Sequence, residues 1–242
     1  MLTYALILAV GFLAGTVSGI VGTGATIILL PVLVYAFGPR EAVPIMAIVA
    51  LMSNFAKITS WWKEIDWRAT AAYAAGGIPG AIVGARTLLI LPERVIDVAL
   101  GVFFLAMIPG RRWLVARNLT LGRWYLVLAG ALIGFLTGIV VSTGPLSVPV
   151  FATYGLVKGA FIATEAAGSL ALYVAKAITF QQFGALPLGV VVKGLIAGSS
   201  VMAGTYTARL IVDRLSVGTF QHLLEGVMLI SGLSLLWAAL RS

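Results

Sequence analysis

Long apolar segments separated by short polar breaks run through the whole chain. They fall at residues 2–21, 25–37, 42–62, 67–90 and 94–109, and again at 122–141, 145–156, 159–180, 187–211 and 216–240. A membrane-spanning helix needs about 20 consecutive, mostly apolar residues. The pattern therefore predicts an all-α, polytopic membrane protein in which five segments are followed by five more.

Two of these segments are shorter than a comfortable membrane crossing. Residues 25–37 and 145–156 each follow a glycine-bearing break, GIVGTG (Gly19 to Gly24) and GIVVSTG (Gly138 to Gly144). At about 1.5 Å per residue, helices of this length span roughly 18–20 Å. We expect two half-helices, which either cross the membrane or form re-entrant pairs with the segments before them.

The two halves of the chain repeat each other in outline. SNFAKIT and LYVAKAIT each place one lysine inside a long apolar segment, 119 residues apart (176 − 57). Because five is an odd number, the second half enters the membrane from the opposite side, which makes an inverted repeat. We divide the chain into an N-terminal transmembrane repeat (1–110), a basic linker (111–123) and a C-terminal inverted transmembrane repeat (124–242).

Composition narrows the function classes. The sequence is 61% hydrophobic and 10% charged, with a mean hydropathy of +1.09, so it lacks the polar surface of a soluble domain. With no Cys and one His, we expect no metal and no cofactor, and an enzyme is disfavoured because the acids lie mostly in loops. The net charge of +8 comes from loop residues without interleaved aromatics, so we expect no nucleic-acid partner.

Lysine and arginine predict the orientation. The linker from Pro109 to Trp124 holds four arginines and no acid, and positive loops stay in the cytoplasm. We expect a multi-pass protein of the cell inner (plasma) membrane with this linker inside and both termini outside. The first 15 residues lack the features of a signal peptide and are interpreted as the start of the first helix. The other basic residues predicted to be cytoplasmic are Lys63, Arg68, Lys158, Arg209 and Arg214; Arg40, Arg86 and Arg94 are exceptions.

The candidate binding site combines the two lysines with the two glycine breaks. Lys57 and Lys176 follow Asn54 and Tyr173 by one helical turn, and charges inside membranes usually line a pathway; each lysine alone could also snorkel to the membrane surface. Half-helix N-termini present free N–H groups that attract anions, although such glycines also permit close helix packing. The residues expected to bind the anion are Thr23, Gly24, Asn54, Lys57, Ser142, Thr143, Gly144, Tyr173 and Lys176.

One acid also lies in an apolar segment. Glu165 is a candidate proton-coupling carboxylate, or alternatively an interfacial acid paired with Lys158. Since the chain has no ATP-binding motif, the driving force would be an ion gradient or a partner.

Several motifs together resemble the sulfite exporter TauE/SafE family, also called the toluene-sulfonate uptake permease family. They are IDWR (Ile65 to Arg68), GGIPGAIVGAR (Gly76 to Arg86), STGPLSVP (Ser142 to Pro149) and GAFIATEAAGS (Gly159 to Ser169). The resemblance covers nearly the whole chain. It implies a transporter with inverted repeats for small sulfur-containing anions such as sulfite or organosulfonates.

Carried over to this sequence, the family's motifs fall on positions already singled out. Its asparagine-to-lysine stretch falls on Asn54 and Lys57, its second lysine on Lys176, and its glycine-rich turns on residues 22–24 and 143–145. The first turn reads VGTGATIILLP where the family often has more glycine, which bears on the substrate.

The expected function is therefore a secondary transporter that exports a small sulfur-containing anion by alternating access. The anion would bind near the membrane midplane between the half-helix N-termini and the two lysines. The alternatives are an anion channel, or a transporter of a non-sulfur organic anion. The expected partners are the anion and the lipid bilayer. Proton antiport and simple anion efflux are both open as the mode of coupling.

Overall fold

The part of the chain that the structure describes is helical throughout. A computed structural model describes residues 2–87, 122–139, 144–182, 186–216, 218–219 and 222. Its helices are α1 (Leu2–Val21), α2 (Ala25–Phe37), α3 (Pro39–Ser60), α4 (Trp67–Thr87), α5 (Arg123–Ile139), α6 (Gly144–Thr153), α7 (Lys158–Gln182) and α8 (Leu188–Val212), with a 3₁₀ turn at Trp62–Glu64. The all-α prediction is confirmed for this part. The predicted segments 94–109 and 216–240 and the linker 111–123 lie wholly or largely outside it.

The lengths of the helices fit a membrane protein. Among the described residues, three helices are long and apolar enough to cross a bilayer: Thr3–Val21, Lys158–Gln182 and Leu188–Val212. The helices α2 and α6 are short, with 13 and 10 residues, as the breaks before them predict. Two boundaries differ from the prediction by three residues: α3 begins at Pro39 and not at 42, and α6 ends at Thr153 and not at 156. Gly38 turns the chain with a φ of 78°, and Pro39 suits the first helical turn.

Glycines on α4 let α5 approach to backbone contact. A Cβ added to Gly76, Gly80 or Gly84 would lie 1.9–2.3 Å from a carbonyl oxygen of α5, which is far closer than any real contact. The glycines of α5 face α4 in the same way; a Cβ on Gly134, for example, would lie 2.1 Å from the Gly77 oxygen. Small residues commonly permit such packing in membranes. The packing interpretation therefore holds for Gly80 and Gly84.

Helices α1 and α8 form a second pair of the same kind. A Cβ on Gly15 of α1 would lie 2.1 Å from the Val201 oxygen, and one on Gly204 of α8 would lie 2.0 Å from the Phe12 oxygen. Each tight pair thus joins one helix that precedes the central linker to one helix that follows it.

Helices α3 and α7 pack against each other at the centre of this arrangement. In addition, α3 packs against α8, and α7 packs against α4. Two apolar clusters flank them, one around Tyr73, Phe151 and Phe161 and one around Leu29 and Ile45. Any polar side chain on the facing surfaces of α3 and α7 is therefore enclosed by protein.

Polar contacts near the helix ends mark the two ends of the bundle. At one end, Trp61 donates a hydrogen bond to Asp213 at 3.4 Å, and the Asp66 amide donates one to Thr164 at 3.0 Å. At the other end, Lys193 of α8 forms an ion pair with Glu41 of α3. The end of α3, the start of α7 and the end of α8 consequently lie together.

Candidate functional site

A cavity lies where the break between α1 and α2 meets the middle of α3 and α7. The empty space there is about 390 Å³, of which a part is open to solvent. Its walls combine backbone, hydroxyl, amide and charged groups with a few small apolar side chains. The lining residues are Ser18, Gly22, Thr23, Gly24, Ala25, Thr26, Met46, Val49, Ala50, Ser53, Asn54, Lys57, Glu165, Ser169 and Tyr173.

The break between α1 and α2 presents backbone amides to this cavity. Gly22 and Gly24 have φ angles of 85° and 113°, which favour glycine because a Cβ is strained there. The first hydrogen bond of α2 runs from the Ile28 amide to the Gly24 oxygen at 3.3 Å. The amides before Ile28 thus have no partner within the helix, and they carry the positive end of its dipole.

Lys57 lies beside this break. Its side chain is only 3% exposed, and its Nζ donates a hydrogen bond to the Gly22 oxygen at 2.6 Å. The ammonium therefore lies at the carboxyl end of α1, where a cation is stabilised by the helix dipole, and it does not snorkel to the surface. An ammonium has three donors, so two N–H groups remain in addition to the one bonded to Gly22.

Lys176 makes the corresponding contact in the second half. It is 2% exposed, and its Nζ donates to the Thr137 oxygen near the end of α5 at 2.8 Å. Its ammonium also lies 5.3 Å from the centre of the Phe180 ring, a distance at which the ring attracts a cation. Lys176 is not among the residues that line the cavity.

Glu165 is the acid of the cavity. It is 1% exposed, and its Oε1 accepts hydrogen bonds from Ser147 at 2.5 Å and from Ser169 at 2.7 Å. Its Oε2 is buried and has no hydrogen-bond partner. The carboxyl group is thus held by two serines rather than by Lys158, so the interfacial alternative does not describe it.

The cavity contains some of the predicted site residues and not others. Thr23, Gly24, Asn54, Lys57 and Tyr173 line it together, whereas Lys176 lies apart. Gly144 begins α6. Ser142 and Thr143 lie outside the described residues.

Sequence reasoning missed five polar or polarisable residues of the cavity. A signal existed for two of them, Met46 and Ser169, because the spacing of 119 that relates the lysines also relates Met46 to Glu165 and Ala50 to Ser169. The missed residues are Ser18, Thr26, Met46, Ser53 and Ser169.

Comparison with known proteins identifies the family of the chain. The profile of the family described as Sulfite exporter TauE/SafE matches residues 7–235. The chain is also 24% identical over 256 residues to "Probable membrane transporter protein YjnA" of Bacillus subtilis (strain 168), an alignment that covers 95% of this chain and 98% of that protein. No solved structure matches. Because the profile spans nearly the entire chain, this protein belongs to the sulfite exporter TauE/SafE family and is a membrane transporter.

Proposed function

We propose that this protein exports a small sulfur-containing anion, such as sulfite or an organosulfonate, across the cell inner membrane. The anion binds in the cavity near mid-membrane, where the amides of α2, the hydroxyl of Thr23 and the ammonium of Lys57 converge. Alternating access then exposes the cavity to one side of the membrane at a time.

The position of Lys57 carries this proposal. A buried ammonium needs a compensating charge, and the carbonyl oxygen that accepts its hydrogen bond at 2.6 Å is neutral. The charge is balanced by Glu165 of the same cavity when that acid is ionised, and by a bound anion when it is not. The adjacent start of α2 is also positive. Two positive groups at one cavity attract an anion, and sulfite or a sulfonate has three oxygens, enough to accept hydrogen bonds from both.

The packing of the helices supports an inverted repeat. If α1 corresponds to α5 and α4 to α8, the tight pair α1–α8 corresponds to the tight pair α5–α4. The glycines of α1 at 11, 15 and 19 recur in α5 at 130, 134 and 138, again 119 residues apart (130 − 11). Such a correspondence is expected when two halves share one fold, are related by a pseudo-two-fold axis, and each pack one helix against a helix of the other half.

The grouping of the loops supports the proposed orientation. The turn with Lys63 and the residues Lys158 and Asp213 lie at one end of the bundle, as the contacts of Trp61 and Asp66 indicate. This is the end proposed to face the cytoplasm, with the linker 111–123.

A ligand screen with two lysine variants tests the substrate class. Sulfite, thiosulfate, sulfoacetate, taurine, sulfate and short carboxylates are added to the purified protein, because a ligand that binds the folded state raises its melting temperature. We expect a sulfur oxyanion to give the largest shift. Lys57→Met should remove the shift, and Lys63→Met, which replaces an exposed lysine of the 3₁₀ turn, should retain it. A shift for carboxylates alone would refute the sulfur-anion proposal.

Counterflow in proteoliposomes separates a carrier from a channel. A carrier loaded inside with unlabelled anion accelerates the uptake of labelled anion, because the loaded site returns faster or more often than the empty one. A channel shows no such stimulation. Uptake without stimulation would replace the carrier proposal by the channel alternative.

Cysteine labelling tests the orientation, since the native chain contains no Cys. Gln182→Cys should react with a membrane-impermeant maleimide in intact cells, because residues near the end of α7 are proposed to face outward. Arg117→Cys should react only after the membrane is opened. The reverse labelling pattern would invert the proposed topology.

A further inference from the structure

Glu165 has two oxygens in different surroundings. Oε1 accepts hydrogen bonds from Ser147 of α6 and Ser169 of α7, whereas Oε2 has no hydrogen-bond partner although it is buried. A buried polar atom without a partner costs about 1–3 kcal/mol, and more when it is charged. The carboxyl group also lines the proposed anion cavity. Its free oxygen therefore needs a proton or a ligand.

The two serines determine which oxygen binds a proton. A hydroxyl that donates to Oε1 stabilises that oxygen as an acceptor in both the ionised and the neutral acid. The proton of the neutral acid consequently belongs on Oε2. There it changes an oxygen that repels an anion into an O–H group that donates to one.

Few of the described residues place a charge near Glu165. Lys57 of α3 lines the same cavity and attracts the carboxylate, and Tyr73 of α4 and Tyr173 of α7 are the other described titratable side chains near it. The tyrosines are neutral at physiological pH. Ser147 supplies an uncharged donor from α6. When both are ionised and no ligand is bound, Lys57 and Glu165 together have no net charge.

An anion that enters alone makes this region negative, and net charge inside a membrane protein is costly. An anion that enters with a proton restores neutrality, because Lys57 then balances the anion while Glu165 becomes a neutral acid. We propose, on the basis of the proposed anion cavity, that Glu165 takes up one proton with each monoanion, so that anion and proton are transported together without net charge. Both the empty and the loaded cavity are then neutral.

Calorimetry on the full-length protein in detergent tests this stoichiometry. The binding enthalpy of ethanesulfonate, which stays ionised from pH 5 to pH 8, is measured in several buffers of different ionisation enthalpy; acetate is titrated in parallel at pH 7.5. The observed binding enthalpy is plotted against the ionisation enthalpy of the buffer, and the slope of this line gives the number of protons taken up per anion. We expect about one proton at a pH where Glu165 is ionised in the empty protein, and up to tenfold weaker binding per pH unit above it.

Two variants identify the proton-binding group. Glu165→Gln resembles the neutral acid, so we expect binding that takes up no proton and has the same Kd at pH 6 and pH 8. Glu64→Gln removes an exposed acid of the 3₁₀ turn and should behave as the unaltered protein does. No proton uptake by the unaltered protein, or an unchanged uptake by Glu165→Gln, would overturn the proposal.

Transport gives an independent readout that requires no variant. In proteoliposomes, ethanesulfonate influx should acidify the lumen, and its rate should not depend on an imposed membrane potential. Uptake that follows the potential and leaves the luminal pH unchanged would contradict electroneutral cotransport. If acetate binds with one proton and no sulfur anion binds, proton coupling stands and the sulfur-anion proposal fails; if neither anion binds, both fail.

Discussion

The facing surfaces of α3 and α7 place different chemistry at matching positions. Both carry a buried lysine that donates to a carbonyl oxygen near the end of an earlier helix, Gly22 for Lys57 and Thr137 for Lys176. Towards the cavity they differ. At the same spacing of 119, Met46, Ala50 and Asn54 of α3 correspond to Glu165, Ser169 and Tyr173 of α7.

This difference suggests a division of labour between the halves. The lysines maintain similar backbone contacts, which is a structural task that both halves require. The cavity residues, in contrast, need not match, and α7 supplies the acid with its serine while α3 supplies a thioether and a methyl group. A cavity built this way has a cationic side and an acidic side, so an anion can meet both within one site.

Breaking a feature that the halves share should have the largest effect. Gly84→Val and Gly15→Val each place a side chain where a carbonyl oxygen of the partner helix lies 1.9 or 2.1 Å from the Cβ. Because the backbones must separate, we expect the free energy of unfolding to fall by about 3 kcal/mol or more. The destabilised variants should aggregate, which gel filtration in detergent detects. Gly189→Val is the control, since nothing lies within 4 Å of its Cβ. Normal elution of both interface variants would contradict the tight pairs.

Replacing each of the two lysines in turn should have the next largest effect. Removing a charged hydrogen-bond donor costs about 1.5–3 kcal/mol, a factor of roughly 10–150 in the Kd of the anion for Lys57→Met. Lys176→Met should weaken binding less, because Lys176 does not line the cavity. Titration calorimetry with ethanesulfonate measures both. A double variant with unaltered affinity would show that neither lysine contacts the anion.

A smaller effect is expected at the turn before α2. Gly24 has a φ of 113°, and a Cβ added there would lie 3.6 Å from Val17, which is its nearest neighbour. Gly24→Ala therefore adds backbone strain of about 1–2 kcal/mol and no steric clash. We expect the anion-induced rise in melting temperature to shrink, because the amides reorient. Gly38→Ala places similar strain, at a φ of 78°, away from the cavity. An equal loss of ligand response in both variants would argue against the α2 amides as ligands.

The smallest effect concerns the serine on α7. Ser169→Ala removes one of the two donors to Glu165 Oε1, and such a donor stabilises the ionised carboxylate more than the neutral acid. We therefore expect the pH dependence of ethanesulfonate binding to change in Ser169→Ala, measured by calorimetry between pH 5 and pH 8. An unchanged pH dependence would show that Ser169 does not act on this acid.

Most helix positions followed from the apolar pattern, because each helix in a bilayer must satisfy its own backbone. The start of α2 and the start of α4 were predicted to the residue. The start of α3 was not, since PREA resembles a polar loop until Gly38 is recognised as a turn.

The site was harder to predict than the helices. A nearly uniform apolar helix gives no signal for which face is directed inward, so the cavity positions of Ser18 and Ser53 could not be predicted. Lys57 was recognisable because a charge is rare in such a segment. The serine contacts of Glu165 depend on where α6 lies against α7, and no local pattern contains that information.

The glycine pairs also constrain how the protein is assembled. Among the described helices, α1 is synthesised first, and α8, which covers its glycine face, is synthesised last. Until then Gly11, Gly15 and Gly19 face lipid or a temporary neighbour. The two halves, moreover, cannot mature as separate units, since α1 and α4 both await partners from beyond the linker. Final packing is therefore a late event in biogenesis, and a chain truncated before α8 leaves its first helix without its permanent partner.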